Sequence, residues 1–369
     1  MTQKSKSLTS LALQKFKKNF WGVLSFWYIV LIGFIAIFAY VIAPDDTSNA
    51  NQMHLSIHSK KPGFEVTMLK IPLEQELSSS FFSDLLFGKK SAYSETPITS
   101  YSFANDTLQI VEYASDGLDG IKKSIPFSKF SNASSSEEIE AAFISKQRFL
   151  LGTDKYGRDL LSRMFIGARI SFFIGFIAVF ISLIIGITMG SLAGYFGGKV
   201  DTAIMFIINV AWSIPTLLLV IAITLAIGKG FWQVFIAVGL TMWVEVARVV
   251  RGQIMSAKQL QYVTAARALG YTDFRIISRH ILPNVMAPVI VIAAANFAGA
   301  ILIESGLSFL GIGAQPPTPS WGGMIKDHYN YIILGKPYLA VIPGLAIMSL
   351  VMAFMLIGNA LRDALDVKA

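Results

Sequence analysis

Six stretches of this chain are apolar for about as long as a lipid bilayer requires: 20–43, 169–194, 202–227, 231–250, 285–310 and 339–361. A helix that crosses the hydrocarbon core needs about 20 such residues, and in lipid only helices and closed barrels satisfy their own backbone. Composition agrees, since 54% of the 369 residues are hydrophobic and 15% are charged, whereas soluble domains carry about 25% charge. The chain reads as an all-α polytopic membrane protein of six transmembrane helices with one water-exposed insert. With no cysteine in the sequence, disulfides, thiol catalysis and cysteine-ligated metals are excluded.

Charge sets the orientation. Lys4, Lys6, Lys15, Lys17 and Lys18 precede the first apolar run, and Asp45 and Asp46 follow it. Basic residues stay on the cytoplasmic side, so the amino end is inside and the first run is an uncleaved anchor. The segment 248–284 holds Arg248, Arg251, Lys258, Arg267, Arg275 and Arg279 against one acid, Asp273, while the turn at 228–230 has only Lys229 and 311–338 only Lys326 and Lys336. The large basic loop and both termini are therefore expected in the cytoplasm. The net charge of +8 thus marks topology, with acidic lipid or protein as its further contacts, and no nucleic acid is implied.

This gives a cytoplasmic N-terminus (1–19), a first transmembrane helix (20–43), an extracytoplasmic domain (44–149) and a core of five further helices (150–369) carrying a cytoplasmic loop at 252–284. The exported part changes to Ser, Asn, Asp and Lys, with alternating pieces at 54–58, 64–71 and 107–113. Breaks at Pro62-Gly63, Asn105-Asp106 and Asp116-Gly117 make it a β-rich or α+β domain, with a helix starting near Ser134–Ser136 before Glu137 and Glu138. Gly186, Gly190 and Gly194 recur every fourth residue, a flat stripe for helix packing. Pro215 should kink the third span.

In the cytoplasmic loop, Ser256 and Gln259 fit a capping box, which predicts a helix start there. Tyr262, Ala265, Ala266 and Leu269 then share one face, and Gly270 supplies a left-handed stop. A second helix from Thr272 carries Phe274, Ile277 and Ile281 and should end before Pro283. Two such helices suit either a groove on a partner protein or the lipid surface.

Here the sequence resembles a family. Thr264-Ala265-Ala266, Gly270 and Ile281-Leu282-Pro283 resemble the "EAA" loop by which permease subunits of ATP-binding-cassette (ABC) importers engage their ATPases. LGTDKYGRDLLSR (151–163), GYFGG (194–198), ARVVRG (247–252), LSFLG (307–311), QPPTPSWG (315–322) and LRDALD (361–366) resemble the second, C-type permease of oligopeptide, dipeptide and nickel importers. The resemblance implies a type I importer permease fold in the bacterial inner membrane and a second homologous permease beside it. It further implies two cytoplasmic ATPases holding ATP and magnesium, and an extracytoplasmic solute-binding protein. Thr264, Ala265, Ala266, Arg267, Gly270, Ile281, Leu282 and Pro283 would then couple to the ATPase. Two departures stand out: Gln261 and Thr264 occupy positions where the family usually has glutamate, and the insert at 44–149 is far larger than usual.

The chain itself carries no phosphate-cradling loop. The nearest string, around Gly194 to Lys199, has Ala193 for the first glycine and Val200 where a magnesium ligand belongs. His54 and His58 lack a third ligand, His280 and His328 are isolated, and no catalytic or metal constellation stands out, so no cofactor is assigned to this chain. Glu304 in the fifth span either lines a pathway or bonds a neighbouring helix. Glu245 should pair with Arg248 one turn on. Asn209, Trp212, Pro215 and Trp243 complete the pathway candidates. The rival classes are an ion-driven secondary transporter, which would need an internal repeat and charged unwound helices, and a polytopic membrane enzyme.

Overall fold

A computed structural model describes residues 8–73, 80–115, 118–130, 135–228 and 230–365. The expected turn at Asp116-Gly117, the residues Lys4, Lys6, Ser134 and Lys229, and Asp366 of the last motif lie outside the described residues. Two compact units emerge: Met1–Gly33, Ser171–Gln315 and Gly344–Ala369 form one, and Phe34–Ile170 with Pro316–Pro343 form the other.

The chain opens with α1 (Leu8–Lys18), α2 (Phe20–Ile37) and α3 (Ala39–Ile42). Five strands follow: β1 (Phe64–Pro72), β2 (Tyr93–Ala104), β3 (Thr107–Glu112), β4 (Lys122–Pro126) and β5 (Ile144–Phe149). Between them lie two short helices, α4 (Phe81–Phe87) and α5 (Ser136–Phe143). All pairings are antiparallel, in the order β4-β3-β2-β1-β5. Alternation along β1 divides the core. Val66 and Met68 pack with Ile57 and Phe149 on one face, while Leu69 joins Ile98, Leu108, Ile110 and, from α5, Ile139 and Phe143 on the other. Asn105 and Asp106, both at positive φ, make the β2–β3 hairpin turn that their short polar side chains favour. A full capping box between Ser135 and Glu138 starts α5. The alternation at 54–58 misleads: Leu55–Ile57 is a single 3-10 turn, because Ile57 is drawn down onto the sheet and no neighbouring strand receives this backbone.

The membrane portion comprises α6 (Leu160–Phe196), α7 (Gly198–Ser213), α8 (Thr216–Ile227) and α9 (Phe231–Ala257). Then come α10 (Gln261–Ala268) and α11 (Asp273–Arg275), which runs through a π-helical turn (Ile276–Ile281) into α12 (Leu282–Phe309). The chain closes with α13 (Trp321–His328) and α14 (Tyr338–Leu365). Among the described residues, five helices are long and apolar enough to span a membrane. The expected third span is instead the pair α7 and α8, bent by 93° at a break of Ile214 and Pro215. A proline costs one helical hydrogen bond and usually only kinks; here Ile214 is extended as well, so two residues leave the helix and the axis turns. Counting the pair as one span gives six.

Two expected helix boundaries in the loop at 252–284 need correction. Ser256 does not start a helix; it lies in the last turn of α9 with its hydroxyl donating to the Gly252 carbonyl at 3.2 Å, a local bond that lets serine sit inside a helix. The cap of α10 is Leu260. Nor does Pro283 end the second helix. It occupies the second position of α12, straight after the π turn, and the helix runs on through it.

Candidate functional site

Gly270 ends α10 as its sequence predicts, at φ +73°. The Tyr271 amide donates to the Ala266 carbonyl at 3.2 Å and the Gly270 amide to that of Arg267 at 2.9 Å, the paired bonds of a Schellman motif. The predicted single face of α10 divides. Val263 and Ala266 are buried with Ile276, Ile281, Val285 and the α9 residues Val250 and Ile254. Thr264, Ala265 and Arg267 are exposed, as are Tyr262, Leu269 and Gly270. Leu269 is 70% and Phe274 81% exposed. The loop therefore has an apolar inner side that roots it and an apolar outer side with nothing against it. Ile281 belongs to the root, Leu282 packs partly buried beside it, and Pro283 is exposed.

Polar contacts fix the loop's attitude. The Tyr195 hydroxyl donates to Asp273 at 2.6 Å, and the Arg267 guanidinium stands 5.1 Å from the Tyr195 ring. Arg275 caps the Tyr271 ring at 4.2 Å, and that ring stacks on His280 at 5.5 Å. Lys258 donates to the Gly194 carbonyl at 3.0 Å. Gly194 and Tyr195 lie in the last turns of α6, so this span and the loop share one set of bonds. The bidentate pair of Arg251 with Asp201 ties α9 to α7 close by.

The pathway candidates do not converge on one point. Arg248 donates to Asn209 at 2.8 Å and lies 3.5 Å from the Trp212 ring, in place of the expected ion pair with Glu245. Trp212 and Glu245 line a cavity of about 260 Å³ with Thr216, Met242, Asn296 and Ile303. Pro215 precedes this wall at the break between α7 and α8. Trp243 is not among its lining residues and packs with the cluster of Ile204, Ile208 and Ala247. Glu304, 1% exposed, accepts a 2.6 Å bond from Ser308 one turn along α12. Asn296, 2% exposed, donates at 3.5 Å to the Met242 carbonyl. Sequence reasoning missed Asn296, although a polar side chain in the middle of an apolar run is a signal of the kind that singled out Glu304.

The glycine stripe is a packing device. A Cβ on Gly186 would stand 2.5 Å from Val246, one on Gly190 2.5 Å from the Ala247 carbonyl, and one on Gly194 2.8 Å from that of Arg251. The LGTDKYGRDLLSR motif is likewise structural within its unit. Asp154, fully buried, accepts from the amides of Tyr156 and Arg158 and from Arg158 Nε at 2.7 Å, with Arg163 Nε at 3.6 Å. Arg163 also donates to the Asn49 carbonyl at 3.1 Å. His54 is buried 3.9 Å from Glu95, and burial holds its pKa below the ordinary value, whereas His58 is exposed. Among the described residues no group of three or more His, Asp or Glu is placed to hold a metal ion.

The family model for the inner-membrane component of binding-protein-dependent transport systems matches residues 186–369. A second, for the N-terminal transmembrane domain of oligopeptide transport permease C, matches residues 7–62. The glutathione transport system permease protein of Pectobacterium atrosepticum is 42% identical over 218 residues, 59% of this chain and 72% of the relative. Two permease proteins of Bacillus subtilis, of its dipeptide and oligopeptide transport systems, are 42% and 39% identical over 217 residues; each match covers 59% of this chain, and 68% and 71% of those relatives. Among solved structures, an inward-facing form of the MetNI methionine ABC transporter superposes with a TM-score of 0.45 at 18% identity, over 55% of this chain and 96% of that one.

Proposed function

This chain belongs to the C-type permease subunits of oligopeptide and dipeptide ABC importers, and on that premise we propose how it works. It is a transmembrane subunit of an ATP-driven importer for peptides or similar small solutes. The finer reading is that its helices, in a type I importer arrangement, enclose a pathway together with a second homologous permease. Two cytoplasmic ATPases supply ATP hydrolysis and a binding protein outside the cell delivers the solute. Both termini and the loop at 252–284 lie in the cytoplasm.

One observation carries the coupling role. The loop is rooted by Val263, Ala266, Ile276 and Ile281 and yet leaves Leu269 and Phe274 exposed. A loop rooted on one side and apolar on the other transmits force when a groove grips the open side. Closure of the ATPase pair would push α10, and the bonds from Asp273 to Tyr195 and from Lys258 to Gly194 would pass the displacement into α6. The cavity beside Trp212, Glu245 and Asn296 is the stretch of pathway assigned to this subunit. Glu304, bonded within its own helix, serves packing.

Because the chain has no cysteine, Leu269→Cys gives a single attachment point. In membranes holding the whole complex it should cross-link to the ATPase subunit, and an impermeant thiol reagent should reach it only after the cells are opened. A thiol at 269 that labels from outside intact cells, or that cross-links to no ATPase while lipid probes reach it, would overturn the coupling assignment.

A further inference from the structure

Helix α4, sequence FFSDLLF, has a surface that a domain surrounded by water does not keep. At 3.6 residues per turn, Phe81, Phe82, Leu85 and Leu86 fall within an arc of about 140°, with Ser83 and Asp84 opposite. Phe81 is 71% exposed, Phe82 73% and Leu86 50%, while Phe87 falls between Ser83 and Asp84 on the other side. Contiguous bare aromatic surface of this kind marks a place where something else sits.

The bonds that hold α4 fix its position against the short ends of two apolar runs that lie in its own unit, 34–43 and 169–170. The Arg169 guanidinium donates to the Leu85 carbonyl at 2.9 Å and stands 5.3 Å from the Tyr40 ring. Arg169 is the residue at which the long apolar run of α6 begins, and Tyr40 lies in α3, where the first run ends. Gly88 lies so near Tyr40 that a Cβ there would stand 2.8 Å from the ring, and the Ser48 hydroxyl donates to the Phe87 carbonyl at 2.7 Å. Two independent markers of the boundary between apolar and polar chain therefore meet α4. Val41 and Ile42, 64% and 41% exposed, carry the bare apolar surface of the first span up to it, and Lys89 and Lys90 follow at its end.

We propose that α4 is an interfacial helix whose Phe81, Phe82 and Leu86 side chains insert into the bilayer leaflet at the C-terminal end of the first span. Its occupant is lipid, because the surface is continuous with that span, and because aromatic rings and flanking lysines suit the headgroup boundary. The sheet of β1–β5 would then be tethered to the membrane at a third point, beside α3 and the start of α6.

The test uses the full chain with the subunits that copurify with it, in nanodiscs of phosphatidylethanolamine and phosphatidylglycerol. Single cysteines at Phe82 and Leu86 carry an environment-sensitive fluorophore, with Ser83 on the polar side of α4 and Ser124 on β4 as controls. Lipids brominated near the glycerol should quench positions 82 and 86 at least twofold more than 83 and 124. Equal quenching at all four positions would overturn the proposal, as would a cross-link from position 82 to another subunit in place of quenching.

Discussion

The bundle of α6 and α9 and the segment around Asp154 are both tightly packed, but by opposite means. In the bundle, side chains are removed. Gly186, Gly190 and Gly194 let α6 lie on the backbone of Ala247 and Arg251, with no space for a single added carbon. Around Asp154, charges are buried instead: one carboxylate meets two arginines that are 3% and 4% exposed. Lipid tails are as apolar as leucine, so helices within a bilayer gain by close contact and not by escape from water. A buried ion cluster, by contrast, is tolerated when every donor finds an acceptor, and it is costly to break.

The largest effect should come from breaking the second kind of packing. Asp154→Asn leaves Arg158 and Arg163 buried without their counter-charge, a loss of about 3 to 5 kcal/mol. Thermal unfolding of the purified protein should show the Phe34–Ile170 unit melting early; an unchanged melt would mean that water reaches this cluster. Next is Gly190→Leu, which forces α6 off α9 at a cost near the top of the about 1 to 3 kcal/mol typical of overpacking. Yield of monodisperse protein should collapse. Gly252→Ala, on the same α9 and with nothing within 4 Å of its new Cβ, should keep it or gain up to about 1 kcal/mol in helix propensity.

Gly270→Val separates folding from coupling. Nothing lies within 4 Å of a Cβ there, so the only penalty is the left-handed backbone, about 1 to 2 kcal/mol for a residue with a side chain. The protein should insert and purify normally but lose solute-stimulated ATP hydrolysis in the reconstituted complex, since α10 could no longer end where it does. Wild-type stimulation would mean that the loop does not couple. Thr264→Glu, on the exposed side of α10, should be tolerated.

The difference between the two regions also explains what the sequence made legible. The spans followed from apolar length alone, the strands at 64–72 and 107–112 from alternation, and the αL stop from Gly270, since each signal is local. The break between α7 and α8 exceeds the kink that Pro215 alone predicts, because its depth depends on Ile214 as well. The start at Ser256 failed because a serine satisfied by the carbonyl four residues back looks the same in sequence as a cap. Arg248 was matched with Glu245 by spacing, but Asn209 and Trp212, from a distant helix, are what it meets. For the same reason the cavity beside Asn296 is invisible in sequence: it exists only where α7, α8, α9 and α12 come together.

An excision sharpens the comparison, because it asks how much of the sheet-bearing unit the rest needs. Replacing 48–145 would remove the Asn49 carbonyl that receives Arg163, the Ile57 carbonyl that receives Thr153, and the Ser59 and Lys60 carbonyls that receive Tyr338. A buried guanidinium would again be stranded. The chain enters and leaves the sheet side by side, however, since Phe64 pairs with Phe149 across β1 and β5, and such residues lie about 5 Å apart. We therefore place the excision at 65–148, closed by a short Gly-Ser linker. This leaves the Asp154 cluster and its carbonyls in place, removes the Leu85 carbonyl that receives Arg169, and takes Val66 and Met68 from Ile57 and Phe149, which together cost about 2 to 4 kcal/mol. The shortened protein should melt a few degrees lower and still copurify with its ATPases in wild-type proportion. Loss of the ATPases on excision of 65–148, with the remaining chain still folded in the membrane, would mean that the sheet supports the permease core and is no mere addition to it.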